Sequence, residues 1–117
     1  MKLFLIALGG AAGALLRYGT ARLFPLAAWP LATLLVNIAG SFLIGILAGW
    51  TLRQQWPEEI WLALAVGLCG GFTTFSAFSL ENIKLLEQGH WLRAISYTAA
   101  TLVFSLLACW LGKRLGA

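Results

Sequence analysis

Charge is scarce in this sequence, and acidic charge most of all. Only 10% of its 117 residues are charged, and Asp plus Glu number four against eight Lys plus Arg. The acids are Glu58, Glu59, Glu81 and Glu87, and each lies at the end of an apolar stretch or between two of them. No carboxylate therefore sits in the middle of such a stretch, which removes the usual group for coupling transport to protons. There is one histidine, His90, in a polar linker, and it reads as a surface residue. The two cysteines, Cys69 and Cys109, fall inside apolar stretches, far from any oxidising loop. They read as small apolar fillers, with no disulfide and no metal assigned to them. No nucleophile–base pairing, metal-ligand cluster or phosphate loop is present, so an enzyme has no support. The net charge of +4 is spread along the chain rather than gathered in a patch, which argues against nucleic acid as a partner.

Apolar sequence is what the chain has in abundance, at 61%. Four stretches stand out, about Leu3–Leu23, Leu31–Leu52, Ile60–Leu80 and Arg93–Trp110. Each is near the ~20 residues that a spanning helix needs. The linkers Phe24–Pro30, Arg53–Glu59 and Glu81–Leu92 are short and carry most of the polar residues. Nothing is left over for a soluble domain, and no soluble protein partner is implied. The expected fold class is an all-α integral membrane protein, one domain over residues 1–117 with four transmembrane helices. Lys2 before an apolar run and the small residues Ala11, Ala12, Gly13 and Ala14 imitate a signal peptide. Cleavage there would leave an odd number of spans and discard a glycine-rich face, so the segment is expected to stay.

The basic residues bear on orientation. With the N-terminus inside, that side holds Lys2, Arg53, Lys113 and Arg114, and the other holds Arg17, Arg22, Lys84 and Arg93. An even split gives no preferred orientation. Either residues such as Arg17 lie within the bilayer and drop out of the count, or the chain inserts both ways and pairs with an inverted copy. The second is the expectation carried forward.

The four stretches differ in what they carry. In the first, Gly9 and Gly13, like Gly10 and Ala14, are four apart and make a small face for close helix packing. Arg17 either snorkels to the headgroups or faces a water-filled vestibule and attracts anions. Pro25 and Pro30 bracket a turn, with Trp29 as an interfacial anchor. In the second stretch Thr33, Asn37, Ser41 and Gly45 share one face. Asn37 must face protein or water, and an amide lining a pore is favoured over a plain interhelical hydrogen bond. In the fourth, Tyr97, Thr101, Ser105 and Cys109 form another ridge. Their hydroxyls either bond back to their own helix or line a path. Trp91, Trp110, Lys113 and Arg114 are interfacial anchors.

The third stretch is the most unusual, because its residues 70–79 read Gly-Gly-Phe-Thr-Thr-Phe-Ser-Ala-Phe-Ser. A segment that only sat in lipid would not need two adjacent glycines, four hydroxyls and three phenylalanines. The mixture predicts that the backbone opens at membrane depth. Freed carbonyls there are hard oxygen ligands suited to a small cation. The rings of Phe75 and Phe78 have electropositive edges able to touch an anion without a fixed charge.

Three motifs in order resemble the Fluc (CrcB) fluoride channels. These are residues 9–18 (Gly-Gly-Ala-Ala-Gly-Ala-Leu-Leu-Arg-Tyr), Asn37 to Phe42 (Asn-x-x-Gly-Ser-Phe) and the stretch at 70–79. The resemblance implies a dual-topology antiparallel homodimer in the cell (inner) membrane, with two fluoride pathways. It implies one structural sodium ion at the dimer centre, not transported and held by backbone carbonyls, here those of Gly70 and Thr73. It places Asn37, Phe75, Phe78, Tyr97, Thr101 and Ser105 on the fluoride pathway and Arg17 at its vestibule. Cys109 departs from the family pattern, which favours a hydroxyl there. Glu81 and Asn82 are expected to be structural. The implied function is passive efflux of cytoplasmic fluoride, driven by the inside-negative potential. The alternative is a small multidrug-type four-helix exporter, which would need an acid in the first helix where this chain has none.

Overall fold

The structure, a computed structural model, describes residues 1–25 and 29–117. Among the described residues, four helical segments are long and apolar enough to cross a membrane. Helix α1 spans Lys2–Leu23 and α2 spans Leu31–Gln54. The third segment holds α3, residues 58–72, and α4, Phe75–Glu87. The last is α5, Trp91–Gly116. The turn expected between Pro25 and Pro30 lies partly outside the described residues.

Local chemistry explains the boundaries. Pro30 immediately precedes α2, where its missing N–H costs nothing. Helix α2 stops at Gln55, in the left-handed conformation at φ 52°, and Pro57 follows two residues later. Glu58 and Glu59 open α3 at its positive dipole end, and Glu58 pairs with Lys2 at 2.5 Å. Helix α4 runs past the end of the apolar run at Leu80. It ends at Gly89, φ 79°, where His90 N–H donates back to Leu85 O at 2.8 Å. That is the six-to-one bond of a glycine-capped helix end. Glu81, which the hydropathy pattern leaves in a linker, therefore lies inside a helix.

The helices meet through glycine. In α2 and α5, a Cβ added to Gly45 would come within 2.2 Å of Cys109 O, and one added to Gly112 within 2.2 Å of Phe42 O. The two backbones thus touch directly, as small residues spaced by four permit. Helix α1 packs on α3 in the same way, with Gly9 against Ala63 O and Gly13 against Leu68 O. Along that contact, Leu62–Cys69 of α3 adopts the wider π-helical turn. Few side chains are buried, Val36 and Tyr97 most fully, while Leu3, Leu15, Leu52 and Leu106 point outward. An apolar exterior of this kind is what lipid contact requires.

Candidate functional site

Regular helix gives way at two residues. Thr73 has φ −83°, ψ 156°, and Thr74 has φ −153°, ψ 117°. Helix resumes at Phe75 because Thr74 caps it, its Oγ1 accepting from Ala77 N–H at 3.1 Å. The extended pair is held from α2. Asn37 Oδ1 accepts from Thr74 N–H at 2.8 Å, and Asn37 Nδ2 donates to Thr74 O at 3.1 Å. The amide thus pairs with Thr74 as a neighbouring strand would. Gly40, one turn on, leaves room for Thr73, since a Cβ there would lie 2.2 Å from Thr73 Cγ2.

Carbonyls at a helix end lack intrahelical donors, so each needs another partner. Cys69 O accepts from both Thr73 N–H (3.0 Å) and Thr73 Oγ1 (2.8 Å). Gly71 O accepts from Arg17 Nε at 3.2 Å. Among the described residues, no donor reaches the carbonyls of Gly70, Phe72 or Thr73. Gly70 and Thr73 line a groove of about 360 Å³.

That groove collects most of the residues singled out in the sequence. From α2 it receives Asn37 and Ser41, from α4 Phe75 and Phe78, and from α5 Thr101 and Ser105. Phe75 is 75% exposed while Phe78 is 8% exposed, and their ring centroids are 5.4 Å apart, tilted by 44°. The hydroxyls of Thr20, Ser79 and Ser96 bond back to their own helices. Those of Thr101 and Ser105 do not, and both are buried with no partner among the described residues.

Tyr97 stands apart from the groove lining. It is fully buried behind Phe78, the ring centroids 5.2 Å apart. Its hydroxyl donates to Glu81 Oε2 at 2.9 Å, and Thr33 Oγ1 donates to Glu81 Oε1 at 2.6 Å. Thr33 and Glu81 also line a second cavity of about 560 Å³, with Lys84. Hydropathy misses this cluster. The spacing that points to it is Phe78 and Glu81, three apart on one face of α4, with Thr33 one turn before Asn37. Asn82 donates to Phe78 O and accepts from Thr98, tying α4 to α5. Cys69 lies buried on the groove, and Cys109 meets Gly45 through its backbone.

The arrangement gathers amide, hydroxyl and aromatic side chains and residues with open carbonyls around one groove. Comparison with known proteins gives a consistent picture. The family described as "CrcB-like protein, Camphor Resistance (CrcB)" matches residues 4–113. A protein of Caulobacter sp. (strain K31), named fluoride-specific ion channel FluC, is 44% identical over 117 residues, covering 95% of this chain and 91% of the relative. A FluC of Thermus thermophilus is 45% identical over 118 residues, covering 98% and 94%. FluC 2 of Rhodococcus jostii (strain RHA1) is 41% identical over 116 residues, covering 98% of each chain. These relatives are named as ion channels and not as enzymes.

Proposed function

The chain belongs to the CrcB family, and from that premise we propose that it is a fluoride-selective channel. It lets cytoplasmic fluoride leave the cell passively and so lowers its concentration and toxicity. The observation that carries this reading is that, of three buried hydroxyls with no partner among the described residues, Thr101 and Ser105 lie on the groove that Phe75 and Phe78 line, while Thr51 does not. An unmade hydrogen bond in a buried site is unfavourable, so such groups await a partner. Fluoride is small and strongly hydrated, and its water must be replaced along the path. Hydroxyl donors, the second N–H of Asn37 and ring edges replace it without a fixed positive charge that would hold the ion.

The functional form in this reading is an antiparallel homodimer in the cell (inner) membrane. The charge balance between the two sides supports it, as does the largely uncovered ring of Phe75 on an open groove. The extended pair Thr73–Thr74 then lies at membrane depth beside its counterpart in the inverted copy. The open carbonyls of Gly70 and Thr73 fit a structural sodium ion there. The Thr73 hydroxyl is occupied by Cys69 O, which leaves the backbone as the donor set. A bound cation would neutralise carbonyls that face each other across the dimer. Tyr97 serves the path from behind, by backing Phe78 and orienting Glu81.

The multidrug-type alternative requires an acid in α1, and α1 has none. The test is efflux from proteoliposomes, read with a fluoride electrode against chloride and a drug cation. Fluoride release with neither of the others is the expected result. Phe75→Ile and Phe78→Ile should each slow it, and unchanged rates in both would remove the rings from the mechanism.

A further inference from the structure

Arg17 lies one turn beyond Gly13 in α1, at the point where α1 touches the end of α3. A Cβ on Gly13 would lie 2.7 Å from Phe72 N, and one on Gly71 would lie 2.4 Å from Gly10 O. Backbone contact this close carries the stem of Arg17 to the last turn of α3, where its Nε donates to Gly71 O at 3.2 Å. No carboxylate stands within salt-bridge distance of the guanidinium among the described residues. Its hydrogen bond falls on Gly71 O, while the carbonyls of Gly70 behind it and of Phe72 and Thr73 ahead have no donor among the described residues.

We infer that Arg17 is a positioning residue, and that it works through its Nε–H rather than through its charge. By fixing the Gly71 peptide from α1 while Asn37 fixes Thr74 from α2, it holds the chain at Thr73 extended just past the end of α3. The Gly70 and Thr73 carbonyls then turn to the groove. A side chain that only gathered anions at a mouth would not need a donor aimed at a main-chain carbonyl. The transport arm of the test rests on the channel reading above, whereas the exchange arm does not.

Two substitutions separate hydrogen bond from charge. In Arg17→Gln the amide nitrogen stands on Cδ, as Nε does, so a donor is kept without the charge. Arg17→Met reaches as far as Nε, as Gln does, and loses both donor and charge. In lipid nanodiscs, amide exchange at Thr73 and Thr74 should quicken by about tenfold or more in the Met variant and stay within about threefold of the parent in the Gln variant. In proteoliposomes the Met variant should lose limiting fluoride rate, with little change in half-saturating concentration, while the Gln variant keeps both. The inference is overturned if the two variants are equally impaired, with a raised half-saturating concentration that fades as salt screens the charge. Unchanged exchange in Arg17→Met overturns it equally. If the Met variant does not fold, the Gln variant decides alone: parental behaviour supports the inference, and a salt-screened defect overturns it. If the parent protein moves no fluoride, the channel reading fails and the exchange comparison still decides the role of Arg17.

Discussion

Removing the hydroxyl of Ser105 or Thr101 should stabilise the protein and slow it at once. Both oxygens are buried and have no hydrogen-bond partner among the described residues. Leaving a buried polar group unpaired costs about 1–3 kcal/mol, so Thr101→Val, which exchanges hydroxyl for methyl at constant shape, should raise stability by roughly that amount. Ser105→Ala removes one small atom and should gain somewhat less, because a void offsets part of the relief. In the proposed path the same hydroxyls face an anion stripped of water. A hydrogen bond to a charged partner contributes about 1.5–3 kcal/mol, so each loss should cut fluoride flux roughly ten- to a hundredfold. The two sites are one helical turn apart, and the double variant should fall short of the product of the single effects. Stability is read from unfolding in detergent by the fluorescence of the six tryptophans, and flux from proteoliposomes at matched protein density. A variant that loses stability while its flux is unchanged would refute the reasoning. It would mean that the hydroxyls hold the fold together and that no ion depends on them.

The glycine contacts predict a clear contrast. Gly45→Ala and Gly112→Ala each force a Cβ to within 2.2 Å of a carbonyl oxygen and should destabilise by about 1–3 kcal/mol in the same unfolding assay. Gly70→Ala meets nothing within 4 Å and should stay within about 0.5 kcal/mol of the parent. Asn37→Asp keeps the acceptor for Thr74 N–H but sets a carboxylate oxygen against Thr74 O, and should lose about 1–3 kcal/mol together with protection of the Thr74 amide from exchange. Gln55→Gly relieves a left-handed backbone at φ 52° and should gain up to about 1 kcal/mol without altering transport.

Much of the architecture is legible in the sequence because lipid imposes a one-dimensional rule. About twenty apolar residues make a span, and four such runs with short linkers leave one outcome for the fold class. The groove is partly legible for a related reason. Residues four apart on α5 share a ridge whatever the neighbours do, so Thr101 and Ser105 can be placed together before any packing is known. Helix registry between segments is what the sequence does not carry. Arg17 meets Gly71, and Thr33 meets Glu81, across 54 and 48 residues. Those contacts depend on how far α1 slides along α3 and α2 along α4. That offset is set where backbone meets backbone at Gly13 and Gly71, and where Gly40 admits the side chains of Thr73 and Phe72, and a glycine does not name its partner. Tyr97 illustrates the limit. It shares the ridge of Thr101 and Ser105, yet its bulk carries the hydroxyl past the groove to Glu81, a residue that hydropathy leaves in a linker. The same blindness applies to Asn37, whose polarity marks it as important without revealing that its partner is main chain.

Around Thr73 and Thr74 the polar groups divide into two populations. One is paired across helices and fixes shape: Asn37 on Thr74, Arg17 on Gly71, Thr33 and Tyr97 on Glu81. The other is unpaired and, apart from the Phe72 carbonyl, belongs to residues that line one groove: the carbonyls of Gly70 and Thr73, and the hydroxyls of Thr101 and Ser105. Random vacancies in a poorly packed core would mix donors and acceptors without regard to place. Here the groups that can only accept belong to α3 and the chain just beyond it, while the hydroxyls, which have a proton to donate, belong to α5, with Phe75 and Phe78 beside them. Acceptors without donors suit a cation, and donors without acceptors suit an anion. The two sets make no hydrogen bond to each other among the described residues, while the paired set fixes the extended segment. The rigidity of the paired groups is therefore what keeps the unpaired groups available. Asn37 belongs to both, since the proposed path also uses its second N–H; a mutation at Arg17, Thr33 or Tyr97 should act on ions through the unpaired set, without itself touching one.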